Sequence, residues 1–125
     1  MTTRYCLFFI MLATVTVMAP FLGASAADEV TLKGEPVDIQ CYLGGQRGAG
    51  HASCATSCAN NGLPIGFVAK DEDGKEQMYL VMGADKKPAK DYMAAHMGKM
   101  VEAKGTVVEK DGLKILTVSS VSAGD

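Results

Sequence analysis

The stretch from Ala103 to Val121, AKGTVVEKDGLKILTVSSV, decides the fold. Two runs of alternating apolar and polar residues flank Asp111-Gly112, a pair that supplies the positive φ a two-residue hairpin turn requires. The segment therefore predicts a fourth strand, Val101 to Glu109, and a fifth, Leu113 to Val121. In the fifth strand Ile115, Thr117, Ser119 and Val121 share one face, and Leu116, Val118 and Ser120 share the other. Gly105 interrupts the fourth strand, where a residue without Cβ permits the strong coiling of a barrel corner.

Upstream, Tyr92, Met93, His96, Met97 and Met100 recur at helical spacing and predict a helix of about three turns from Ala89 to Lys99. Before it lie a third strand, Gln77 to Met82, and a second, Phe67 to Lys70, joined by a turn at Asp71-Glu72-Asp73-Gly74. Val30, Leu32, Val37 and Ile39 mark a first strand over 30–43, bent or bulged near Gly34-Glu35-Pro36. A short helix is expected within His51 to Gly62, with Asn61-Gly62 as its stop. Strand, excursion, strand, strand, helix, strand, strand predicts a mainly β fold with two short helices, an OB-fold-like five-stranded barrel. An open α+β sandwich of the same elements is the alternative.

Composition sets the outer limits. The chain has 125 residues, 48% hydrophobic and 21% charged, which suits one compact domain rather than a disordered chain. A formal net charge of −2 argues against a basic nucleic-acid surface, and the absence of Trp argues against a broad aromatic platform. The first 26 residues read as a secretory signal peptide. Arg4 gives a positive start, YCLFFIMLATVTVM from Tyr5 to Met18 an apolar middle, and Ala24-Ser25-Ala26 a small-residue end. Cleavage is expected after Ala26 or Ala27. A retained anchor is the alternative, but the apolar run is shorter than the ~20 residues that a spanning helix needs. A periplasmic or secreted location follows, with no stable membrane span after cleavage and a single domain over residues 27–125. That domain carries a charge of −3, because Arg4 is the only charged residue in the leader.

Cys6 departs with the leader, so Cys41, Cys54 and Cys58 remain. An odd number in an oxidising compartment leaves at least one thiol without an intramolecular partner. In CYLGGQRGAGHASCATSC, His51, Cys54 and Cys58 stand at i, i+3 and i+7, one face of a helix. Cys41 ends the predicted first strand, and the glycine-rich segment Gly44 to Gly50 is supple enough to bring it alongside. Three thiols and one imidazole make a closed tetrahedral set for zinc and also suit copper(I). A disulfide of Cys41 with Cys54 or Cys58, stapling the helix to the barrel, is the competing reading, with His51 as a capping or solvent-facing residue. CxxC and CxxCH spacings are absent, which argues against thioredoxin-like chemistry and haem attachment.

Met93, His96, Met97 and Met100, with Met78 and Met82, could supply copper(I) ligands, yet methionine at helical spacing is more often core filler. His96 is either exposed or a further partner of the cysteine cluster. No elbow serine, no phosphate-cradling GxxxxGK and no calcium-loop spacing is found, so no catalytic residue is assigned and an enzyme is not expected. Lys86, Lys87 and Lys90 read as a solvated helix start.

VTLKGEPVDIQCYL, HASCATSCANNGLPIG and KGTVVEKDGLKILTV together resemble a group of small exported bacterial proteins of unknown role. Their pattern is a strand ending in CY, then GxxGxxHxxCAxxCAxxGxPxG, then an OB-like C-terminal half. The matching positions are Cys41, Tyr42, Gly45, Gly48, His51, Cys54, Ala55, Cys58, Ala59, Gly62, Pro64 and Gly66, and the resemblance spans nearly all of 27–125. It implies an exported one-domain protein whose Cys/His cluster is its signature, and it implies no activity. Two functions remain open on the sequence. One is a periplasmic metal-binding protein holding zinc or copper(I) through Cys41, His51, Cys54 and Cys58, accessory to a larger respiratory or electron-transfer complex. The other is a disulfide-stapled OB-type interaction module without metal.

Overall fold

The computed structural model describes residues 27–124, so the predicted leader and Cys6 lie outside the described residues. Five strands close into a barrel: β1 (Glu29–Asp38), β2 (Ile65–Lys70), β3 (Glu76–Gly83), β4 (Val101–Lys110) and β5 (Leu113–Ala123). Their order around the barrel is β1-β2-β3-β5-β4, with β4 returning to β1. Neighbours are antiparallel except β3 and β5, which run parallel from Leu80↔Ile115 to Gly83↔Val118. The mainly β barrel with short helices is thus as the sequence predicts, and the open sandwich is not formed.

The local reasons lie in a few residues. Asp111 and Gly112 both take positive φ, 53° and 80°, as a two-residue turn of the primed type demands. The Asp71 side chain accepts from the backbone N–H groups of Asp73 (3.0 Å) and Lys75 (2.8 Å), fixing the β2–β3 turn. In β4 the register against β5 shifts between Lys104 and Gly105, and a Cβ on Gly105 would lie 2.1 Å from the Thr117 carbonyl oxygen. Only glycine lets the two strands approach that closely at the corner. Of the two faces of β5, the one carrying Leu116 and Val118 is interior; both are fully buried against Phe67, Val101 and Ala103.

Three expectations are narrowed or corrected. No bulge interrupts β1 near Gly34-Glu35-Pro36. Residues 29–34 pair with β4 and residues 34–38 with β2 in unbroken register, and Gly34, which pairs with both, takes up the bend. The Pro36 carbonyl oxygen accepts from the Gly98 N–H (3.1 Å) rather than from β2. In extended backbone a residue's N–H and C=O point to the same side, so the missing proline donor falls where no strand needs it. Second, β1 ends at Asp38, and Ile39–Leu43 form a helical turn, α1, instead of continuing the strand. Asp38 causes the change, its Oδ1 accepting from the Cys41 N–H at 2.8 Å as an N-cap.

The third correction concerns the helix between β3 and β4. It is shorter than predicted: α3 (Lys90–Met93) passes into a 3₁₀ turn at Ala94–His96. Gly98 stops it with φ +72°, packed so closely on the Gly48 carbonyl that a Cβ would sit 2.6 Å from that oxygen. Met93 and Met97 still plug the barrel, at 0% and 1% exposure. The predicted α2 is present as Ala52–Asn60, preceded by a 3₁₀ turn at Ala49–His51. It ends in a Schellman arrangement, Leu63 N–H to Cys58 C=O and Gly62 N–H to Ala59 C=O, with Gly62 at φ +87°. Among the described residues no helix is long and apolar enough to cross a membrane.

Candidate metal centre

The excursion between β1 and β2 carries the Cys/His cluster, and packing with small residues brings it onto the barrel. Helix α2 buries only Ala55 and Ala59. Side chains that small let its axis lie close to β1 and to residues 94–96, where Thr56 Oγ1 donates to the Ala94 carbonyl at 3.2 Å. The glycine-rich segment before it is clamped rather than merely supple. Arg47 pairs with the buried Glu35 (Nη2 to Oε2, 3.0 Å) and with Glu76 (Nη1 to Oε1, 3.0 Å), while the Gly48 N–H donates to Glu35 Oε1 at 2.6 Å. The guanidinium also sits 5.8 Å from the centre of the Tyr42 ring, tying α1 to the same clamp. Gly48 itself has φ +82°. The clamp delivers His51 to the start of α2 and holds it there.

Cys41 is the common member of the cluster. Its Sγ, a ring nitrogen of His51 and the Sγ of Cys54 lie within 4.8 Å of one another. A carboxylate oxygen of Asp38, the Cys41 Sγ and the Cys58 Sγ form a second group within the same limit. All four donors expected from the sequence are therefore gathered near Cys41, as two overlapping triads. Cys41 reaches this position from a helical turn, not from a strand end. Cys41, Cys54 and Cys58 are all free thiols. Cys54 is exposed, whereas Cys41, Cys58 and His51 are half-buried and Asp38 is buried at 2% exposure. His51 Nε2 and Asp38 Oδ2 are buried without a hydrogen-bond partner of good geometry. Unsatisfied buried polar atoms are uncommon, and both of these belong to residues of the two triads.

Electrostatics at the cluster follow from its anionic neighbour. The Cys41 thiol is pushed up to about 12, first because it offers its proton to the Asp38 carboxylate, then by desolvation and by the charges of Asp38, Cys54 and Cys58. Desolvation, with the charges of Asp38 and Cys54, pushes the Cys58 thiol up as well. The Cys41 and Cys58 thiols are thus held protonated until a cation compensates the charge.

The methionines divide. Met93 and Met97 are core, while Met78, Met82 and Met100 are exposed at 37%, 52% and 51%. Neither metal-capable group contains His96, which is half-buried beside the α3 plug. Asp38, Glu35 and Arg47 are the residues that sequence reasoning missed. Asp38 had a readable signal: an acid flanked by Val37 and Ile39, three residues before a cysteine, in the position of a helix cap. In comparisons with known proteins, no family model and no curated protein sequence matches this chain.

Proposed function

We propose that this chain is an exported metal-binding protein that holds zinc or copper(I) through Cys41, His51, Cys54 and Cys58. What carries the reading is the convergence of two donor triads on one sulfur, one of them including a histidine whose Nε2 is buried without a hydrogen-bond partner. Zinc–sulfur bonds near 2.3 Å put the sulfurs of a tetrahedral site about 3.5–4 Å apart, inside the 4.8 Å within which each triad already lies. Thiolates and imidazole suit copper(I) equally. The exposed Cys54 puts one ligand of the ion within reach of an exchanging donor, which favours a site that hands its metal to a larger respiratory or electron-transfer complex. An OB-type barrel is inferred for the scaffold, supported by the order β1-β2-β3-β5-β4, the parallel β3–β5 pair and the helix between β3 and β4.

The test is elemental analysis and thiol counting on protein purified from the periplasm without added metal, followed by melting with and without the ion. At a free metal concentration a hundredfold above Kd the wild type should gain about 2.7 kcal/mol. Cys54→Ser should lose most of that gain and melt like the wild type when both are metal-free. Metal-free protein carrying a Cys41–Cys54 or Cys41–Cys58 bridge would defeat the proposal and favour the stapled interaction module. Equal loss of stability with and without metal would defeat it too.

A further inference from the structure

Asp38 is anchored where it cannot easily turn away. It closes β1, the next residue's N–H donates to the Pro64 carbonyl (3.2 Å), and its own Oδ1 caps α1. With Oδ1 engaged, Oδ2 is left buried and without a partner of good geometry. A buried carboxylate oxygen is costly unless it is paired, hydrogen-bonded or bound to a metal. Among the described residues no basic side chain pairs with it; the groups gathered at the carboxylate are the thiols of Cys41 and Cys58. Capping accounts for Oδ1, and beyond it the carboxylate faces the thiols of Cys41 and Cys58, the first of which offers it a weak S–H donor.

We propose that Asp38 is itself a metal ligand, closing with Cys41 and Cys58 an inner donor set that shares Cys41 with the outer set of His51 and Cys54, and that this carboxylate biases the site toward a divalent cation of the zinc class over copper(I). The proposal rests on metal binding at the Cys41 cluster and adds both a ligand and a selectivity to it. With Cys54 included, three thiolates and a carboxylate carry four negative charges. A dication leaves two of them uncompensated, and a monovalent ion leaves three, beside a carboxylate at 2% exposure. Carboxylate oxygen is also a hard donor that suits divalent ions, whereas copper(I) is selected by soft sulfur. The outer set has no hard oxygen donor and lacks this bias.

Asp38→Asn is the direct probe, because asparagine caps a helix as well as aspartate does while replacing Oδ2 with an uncharged amide. Zinc and copper(I) affinities of wild type and variant are measured by competition with chelators, alongside the metal-free melting temperature. The expected result is zinc binding weakened at least about tenfold, with copper(I) affinity held within about twofold. Unchanged zinc affinity, or equal loss for both ions, overturns the proposal while leaving metal binding by the Cys/His donors intact. A wild type that binds neither ion overturns both. A second measurement needs no variant: on zinc addition the side-chain carboxyl carbon resonance of Asp38 should move while that of Asp71, at the tip of the β2–β3 turn, stays put. An unmoved Asp38 signal in zinc-loaded protein overturns the assignment.

Discussion

The β4–β5 hairpin and the excursion from Asp38 to Asn60 draw on similar small and apolar residues and put them to opposite uses. In the hairpin, Val101, Ala103, Leu116 and Val118 are buried to 2% exposure or less, and polar side chains point outward, as where Ser119 Oγ donates to the Lys104 carbonyl at 3.0 Å. In the excursion, helix α2 buries two alanines and nothing larger. The same segment, with Asp38 at its entrance, holds three free thiols, an unpartnered imidazole nitrogen and an unpartnered carboxylate oxygen. The barrel is locally satisfied and the excursion is not. Stability therefore resides in the strands, and the unsatisfied chemistry is carried by a segment held by a capping carboxylate and the Glu35–Arg47 clamp rather than by large buried side chains.

The comparison breaks most visibly in the core. Leu116 is fully buried on the interior face of β5. Truncating it to alanine should cost about 2–5 kcal/mol in denaturant unfolding, because lost transfer energy adds to a residual cavity. Metal affinity of the folded fraction should stay unchanged, since the side chain belongs to the barrel. A loss under about 1 kcal/mol would mean that the barrel does not dominate stability.

How far the sequence was legible follows the same division. Strands were readable because period-two alternation and two Asp–Gly turn signals are local properties; the ends of β4 and β5 fall within two residues of where Val101, Glu109, Leu113 and Val121 place them. The Cys/His donors were readable from residue type and spacing. What stayed hidden depends on long-range partners. Gly34 passes β1 from β4 to β2 without a bulge, which no local pattern reveals. The α3 helix is cut short by the docking of Gly98 against Gly48, fifty residues earlier in the chain. Glu35 looked like part of a strand bend, yet it anchors Arg47 and the Gly48 N–H across 12 and 13 residues. Leu43 and the apolar run before it favoured a longer strand, and a single capping carboxylate at Asp38 overrode that preference.

Glu35 sharpens the contrast, because it is a buried β1 residue whose side chain holds the excursion in place. At 6% exposure it takes hydrogen bonds from both Arg47 and Gly48. Glu35→Gln keeps the shape but removes the charge that Arg47 needs, and should cost about 1–3 kcal/mol. Unlike Leu116→Ala, it should also weaken metal binding, because the clamp sets where His51 meets Cys41. Zinc titration of the two variants side by side checks this. Undiminished affinity in Glu35→Gln would show that the cluster forms without the clamp.

The smallest effect is a slope rather than a loss of fold, since Cys41 is partly open to solvent. A thiol raised from its ordinary value of 9.0 to about 12 favours the folded state while it stays protonated. Its contribution is complete below pH 9 and is lost as pH rises through 12, so metal-free protein should lose stability across that window. The informative quantity is the difference between wild type and Cys41→Ser in urea midpoints measured under reductant, in which contributions common to both cancel. Removing the thiol should flatten the decline. Metal-loaded protein should show the opposite sign on the alkaline approach from neutrality, because the ligand is the thiolate and each proton released on binding makes affinity climb with pH. Only the excursion can produce two slopes of opposite sign. A wild type and a Cys41→Ser variant with parallel pH profiles would place the titrating groups in the barrel instead.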